Sequence, residues 1–196
     1  YIYPFEEKPT TAASGSIVHL PNESAIRLSV TSASGSYAQL QTKTHHRYQA
    51  GKGMNWLMTV FNSDLGQQDQ VRRWGLFDSE DGLYFAVSGS TVNLVRRSST
   101  SGSPVDTYVT QSSWNVDRYD GTGPSKHALD VTKGNIYECR FQWLGSGDCN
   151  FFINGTLVHV MRHAGDLTTP FMKTATLNST WEVENFATSS AGNLKY

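Results

Sequence analysis

Glu182 and Glu184 stand two residues apart in the run Trp181-Glu182-Val183-Glu184, and alternate positions on a strand share a face. Two carboxylates on one surface are the equipment of glycoside hydrolysis. That chemistry needs them about 5–5.5 Å apart to retain the anomeric configuration and about 6.5–9.5 Å apart to invert it. Trp181 and Val183 fall on the opposite face, so the plain expectation for the glutamates is a solvated outer surface behind a packed one. Asp78, Glu80 and Asp81 precede Gly82, where aspartate is a turn former. Asn115, Asp117, Asp120 and Asp130 could offer oxygen to calcium, but they miss the alternate-residue spacing of a loop calcium site, and Asx turns are expected instead. His45 and His46 are adjacent and point to opposite faces of a strand, whereas His159, Met161 and His163 share one and His127 lies elsewhere. No Cys or His cluster stands at zinc-ligand spacing, so neither metal nor cofactor is expected. A Gly-x-Ser-x-Gly elbow is absent, and Gly121-Thr122-Gly123-Pro124-Ser125 lacks the lysine and the helix of a phosphate loop. The expectation is a non-enzymatic protein.

Binding chemistry has better candidates. The pairs Arg72-Arg73 and Arg96-Arg97 each send one guanidinium inward and one outward on a regular strand. An inward arginine must be paired, because a lone buried charge is costly; Asp78, Asp106, Asp117 and Asp130 are the expected partners. Trp114 and Tyr119 sit in an otherwise polar stretch and are the candidates for stacking on sugar rings; the competing expectation is that both plug the core or a subunit contact. Tyr1, Tyr3 and Phe5 would serve as apolar anchors docking on a neighbouring subunit.

The elements that must position these residues read as strands. The chain has 196 residues, 17% of them charged, and a net charge of -1. That balance argues against nucleic acid and against an anionic membrane surface. Serine, threonine and glycine account for 58 residues and aromatics for 12%, a mixture that favours strands joined by many turns. The longest charge-free apolar run, residues 54–63, is too short to span a bilayer. No methionine begins the chain, so a processed start or an upstream continuation is expected. Residues 1–24 show no strand or helix period and are expected to form an N-terminal arm or linker; residues 25–196 form the folded domain.

Within that domain, Ile26, Leu28 and Val30 alternate. Residues 37–42, 45–49, 71–77, 83–88, 91–97, 105–110 and 171–177 supply further strands, and residues 181–186 the last. Residues 54–62 are apolar on both sides, as in a central strand buried on both faces. Tyr137, Cys139, Phe141 and Trp143 alternate with Glu138, Arg140 and Gln142, marking a half-buried antiparallel strand. Asn154-Gly155 is the strongest hairpin signal, since a type I′ turn needs positive φ at both central residues. A register centred on Gly145-Ser146-Gly147 sets Cys139 against a residue near Phe152, which makes a Cys139–Cys149 disulfide awkward. No window carries a helical period. The fold expected is all-β, an antiparallel β-sandwich of about a dozen short strands.

The stretch NIYECRFQWLGSGDCNFFINGTLVHV resembles the meander of concanavalin A-like lectin/glucanase jelly rolls. Glucanases of that fold carry Glu-x-Asp-x-Glu on one strand, and this sequence has no such run. A second resemblance covers residues 45–163, through RRWGLFDSEDGLYFAVSGS, QSSWNVDRYDGTGPS and LDVTKGNIYECRFQWLG. That block is similar to a group of uncharacterised virion proteins of tailed bacteriophages. It implies a structural protein of the virion, decorating the capsid or forming part of a fibre or appendage. The partners implied are other virion proteins and copies of the chain itself, a homo-oligomer and, for an appendage, a trimer. The lectin resemblance implies the alternative, a carbohydrate-binding module for attachment to a host glycan, with a glucanase-like hydrolase a distant third.

Overall fold

The computed structural model describes residues 6–143, 147–162 and 170–196. In chain order its strands are β1 (Glu7–Ala12), β2 (Ser16–Leu20), β3 (Ala25–Val30), β4 (Tyr37–Thr42), β5 (Met54–Asn62), β6 (Gln70–Phe77) and β7 (Gly82–Ser88), then β8 (Thr91–Ser98), β9 (Val105–Thr110), β10 (Asn135–Phe141), β11 (Cys149–Ile153), β12 (Thr156–Met161), β13 (Ser179–Asn185) and β14 (Gly192–Lys195). They form two seven-stranded sheets, ordered β1-β4-β13-β6-β7-β8-β9 and β12-β11-β10-β5-β14-β3-β2. Every pairing is antiparallel. The expected all-β sandwich is what the chain forms. Among the described residues the helical content is one 3-10 turn, Gln111–Ser113.

The inner faces make one core. Leu28 on β3, Leu40 on β4, Trp74 on β6, Phe85 on β7, Tyr137 on β10 and Phe151 on β11 are all fully buried. Their rings pack directly: Tyr137 lies 4.9 Å from both Trp74 and Phe85. Alternation on β3 and β10 therefore marked the core face correctly. The β11–β12 hairpin turns at Asn154 (φ 49°) and Gly155 (φ 79°), the two positive values that a type I′ turn requires. Cys139 pairs with Phe151, and both cysteines are buried free thiols. Gly145 and Ser146 of the expected turn lie outside the described residues, as does His163.

Several expectations are corrected. Residues 7–20, assigned to the arm, are extended but not free: β1 pairs with β4 and β2 with β3, one at an edge of each sheet. An edge strand needs no buried period, and Pro9 is tolerated there because only one side of the strand must donate to a ladder. β5 is buried on one face only, with Leu57 and Phe61 exposed on the other. Residues 45–49 and 171–177 are not strands; one isolated bridge, His46 to Leu177, joins them. Phe171, Met172 and Leu177 are nevertheless buried, so apolar content there reflects irregular backbone packed on the core. β14, four residues long, carries too short a pattern to be recognised.

Candidate functional site

The two candidate sugar-stacking residues are not at a surface. Trp114 and Tyr119 are each 4% exposed and belong to the main core. Trp114 Nε1 donates to the Val109 carbonyl at 3.3 Å. Asp117 holds the loop in shape, accepting from the backbone N–H groups of Tyr119 at 2.8 Å and Ser125 at 2.7 Å. The polar residues around these rings form Asx turns at the rim, with Asp120 accepting from Thr122 and Asp130 from Thr132, as expected for them. Neither ring offers a face to a ligand, and the core expectation holds. Tyr1, Tyr3 and Phe5 lie outside the described residues.

The structure assembles a different site, a groove of about 780 Å³ on the outer face of the first sheet. Its components come from β4, β13, β6, β8 and β9, and alternation places them there. Tyr37, Gln39 and Gln41 of β4 stand beside Glu184, Glu182 and Thr180 of β13. Arg73 of β6 pairs with Glu182, and Arg97 of β8 pairs with Asp106 of β9. Beneath them Val71, Phe77, Tyr84, Ala86 and Val95 form a second, small apolar cluster. Gly75 keeps the layer thin, for a Cβ there would come within 2.5 Å of the Tyr84 Cα.

Glu182 and Glu184 do share a face, but Glu182 is only 7% exposed, which corrects the expectation of a solvated surface. The Arg73 Nη1 donates to Glu182 Oε1 and, at 2.9 Å, to Glu184 Oε2. The Tyr37 hydroxyl and the Gln39 amide each donate to Glu182 Oε2 at 2.9 Å. Arg97 clasps Asp106 with two parallel bonds, Nε to Oδ1 at 2.8 Å and Nη2 to Oδ2 at 2.9 Å, and its Nη1 donates to the Asp78 carbonyl at 3.0 Å. Tyr84 donates to Asp106 at 2.9 Å.

The electrostatics follow from these contacts. Burial would lower the Arg73 guanidinium, yet the two glutamates outweigh it and raise it above its ordinary value; Asp106 and Tyr84 do the same for Arg97. Burial would raise the Asp106 carboxyl, but Arg97 holds it below the usual carboxylate value. Burial first and then Glu182 push the Tyr37 phenol upward. Arg73, Arg97 and Asp106 are thus each held in the charged form by an oppositely charged partner. Two aromatic rings remain open beside the groove: Tyr108 on β9, 47% exposed, and Phe186, 56% exposed, over whose ring Arg73 lies at 5.7 Å.

Arg72, the inward member of its pair, donates to Asp64 Oδ1 at 2.7 Å and to Gln70 Oε1 at 2.6 Å. Asp64 was not among the expected partners, because it sits in an irregular loop that no period places. Asp106, named as a partner for an inward arginine, pairs instead with Arg97, the outward member, while the inward Arg96 keeps a buried Nε without a hydrogen bond. Among the described residues, no three His, Cys, Asp or Glu side chains come together to hold a metal ion. Among the described residues no helix is long and apolar enough to cross a membrane.

No protein-family model matches the sequence, and no curated protein matches it. Solved structures of similar fold are found. One belongs to the endo-acting O-glycanases that prominent members of the human gut microbiota express to initiate mucin breakdown. It has a TM-score of 0.62 and 11% identity, over 97% of this chain and 88% of that one. The second is of botulinum neurotoxin type C, reported to interact with two ganglioside molecules, at TM-score 0.57 and 10% identity, over 98% of this chain and 42% of that one. The binding domain of botulinum neurotoxin DC, in complex with rat synaptotagmin II, gives TM-score 0.54 and 9% identity, over 96% and 41%. This chain thus spans about two fifths of the toxin chains it matches. At these identities the likeness is one of fold.

Proposed function

We propose that this chain is a lectin-like carbohydrate-binding module that holds glycan in the groove on the outer face of the first sheet. One observation carries the reading: polar side chains fixed by one another line the groove, and the Tyr108 and Phe186 rings stand open beside it. Sugar recognition uses this combination, with hydroxyls exchanging hydrogen bonds with preset donors and acceptors while a pyranose face lies on an aromatic ring. The glycan-related neighbours of the same fold support it.

Binding is favoured over hydrolysis by the state of the glutamates. Three of the four acceptor positions of Glu182 are filled by Tyr37, Gln39 and Arg73, and Glu184 shares the same Arg73 nitrogen. A general acid must be free to hand a proton to the leaving oxygen; Glu182 is not, which leaves Glu184 without the second working carboxylate that hydrolysis needs. A glycan array probed with the chain and with Tyr108→Ala tests the reading. Defined oligosaccharides should be retained by the first and weakened in the second; release of reducing ends from a bound oligosaccharide would assign an enzyme instead.

The setting proposed is the particle of a tailed bacteriophage, on the resemblance over residues 45–163. There the chain would contact other virion proteins and copies of itself. The exposed apolar residues Leu57, Phe61 and Ile136 on the outer face of the second sheet support self-association. Mass spectrometry of purified particles, with sedimentation of the isolated chain, checks both.

A further inference from the structure

We infer that the groove selects uncharged glycans and rejects acidic ones, because its cations are already neutralised by its own carboxylates. The inference rests on the carbohydrate-binding reading. An acidic sugar is held by guanidinium or ammonium groups with donors to spare, most strongly by a two-pronged arginine. On Arg97 that prong is spent. Arg97 gives Nε and Nη2 to Asp106 and Nη1 to the Asp78 carbonyl, so none of its three nitrogens is without an acceptor. Arg73 gives Nη1 to both glutamates, and its Nε, which makes no hydrogen bond, is buried out of a ligand's reach.

The remaining balance is negative. Four carboxylates in the lining, Asp78, Asp106, Glu182 and Glu184, face two guanidiniums, Arg73 and Arg97, which leaves a formal charge of -2. Lys8, in register with Gln41 on the outermost strand, lies beyond that lining. Glu184 is the most open member of the Arg73 cluster, its side chain 31% exposed, and only its Oε2 accepts from Arg73. A sugar hydroxyl can donate to the other oxygen. A sugar carboxylate or sulfate placed there would meet like charge in a recess where water screens poorly. This separates the chain from neurotoxin type C, whose reported ligands, gangliosides, are acidic.

The test uses matched pairs of oligosaccharides, each neutral glycan beside its sialylated or sulfated derivative, measured by calorimetry with the full chain at low and at physiological salt. Neutral members should bind, and each acidic derivative should bind at least ~10-fold more weakly at low salt, the gap narrowing as salt screens the repulsion. Glu184→Gln removes one negative charge while keeping the side chain's size and should shrink the gap between acidic and neutral members several-fold, whatever it does to neutral affinity; near-UV circular dichroism of the variant confirms its fold. Acidic derivatives bound as tightly as their neutral partners, or an unchanged gap in Glu184→Gln, would overturn the inference and leave the carbohydrate reading standing. Failure of every pair to bind, or binding only to basic peptides with steep salt dependence, would overturn the carbohydrate reading together with it.

Discussion

Arg97 and Asp106 face each other across β8 and β9 as a two-pronged ion pair, Nε to Oδ1 at 2.8 Å and Nη2 to Oδ2 at 2.9 Å. The same Asp106 oxygen accepts from Tyr84 and, at 3.3 Å, from Tyr108. The pair therefore ties an edge strand to the apolar floor of the groove and sets the position of the exposed Tyr108 ring. Such coupling makes the site rigid without a bound ion, since each charge orients the next.

This pair gives the fold an acid sensitivity. Asp106 is held below its ordinary value of 3.8 in the folded chain, so the folded state binds its proton less readily than the unfolded state does. Its contribution is complete above the unfolded value and disappears as pH falls through 3.8 toward the folded one. Urea unfolding followed from pH 7 to pH 3 should show stability dropping in that window. Asp106→Asn should flatten the drop and lower stability at pH 7 by about 1–2 kcal/mol, because the pair is partly exposed and screened.

Trp114 and Tyr108 should separate stability from binding. Trp114→Ala opens a cavity in the main core and should cost about 3–5 kcal/mol in chemical unfolding, while the folded fraction keeps its affinity for glycan. Tyr108→Ala removes a half-exposed ring and should change stability by under about 1 kcal/mol. Its glycan affinity should fall several-fold, the scale of one lost stacking contact.

The sandwich was legible because burial is one-sided and period two records it, as in Tyr137, Cys139 and Phe141. The site was legible only in its parts. Alternation placed Glu182 with Glu184 and set one arginine of each pair outward. What brings Arg73 against both glutamates is the β13–β6 register, a long-range choice that local pattern does not carry. Trp114 and Tyr119 misled for a related reason. Polarity around them suggested exposure, but a loop can present its Asx turns to water and send two rings into the core. Leu57 and Phe61 erred in the other direction, since an apolar residue on an outer face looks identical in sequence to one under a second layer.

The thiols supply a check on the core itself. Burial pushes Cys149 up to about 12 and Cys139 well above its ordinary value, and a buried neutral thiol is a poor nucleophile. An aromatic disulfide reagent should leave both cysteines unreacted in the native chain at pH 8 and modify both in denaturant. Rapid native labelling at either position would mean that the β10–β11 region opens far more often than its packing implies.

His159 makes a second, milder acid response in the loop that carries Trp114. Its Nδ1 accepts from the Asn115 backbone N–H at 3.1 Å, which requires that nitrogen to be unprotonated, and burial lowers the imidazole below its ordinary 6.5. The neighbouring Asn115 side chain bridges to Val160 on the same strand, donating to its carbonyl and accepting from its amide, both at 2.9 Å. Protonation thus competes with docking of residue 115 against β12. The unfolded chain takes up the proton first, so the contribution is complete above pH 6.5 and declines as pH falls below it toward the folded value. In an NMR titration His159 should titrate below 6.5, with the Asn115 amide moving in step and exchanging faster in the acidic limb. His159→Gln can still accept at that amide through its side-chain oxygen and should remove the pH dependence while keeping the loop docked. A His159 titration at or above 6.5 would mean that the loop is open in solution.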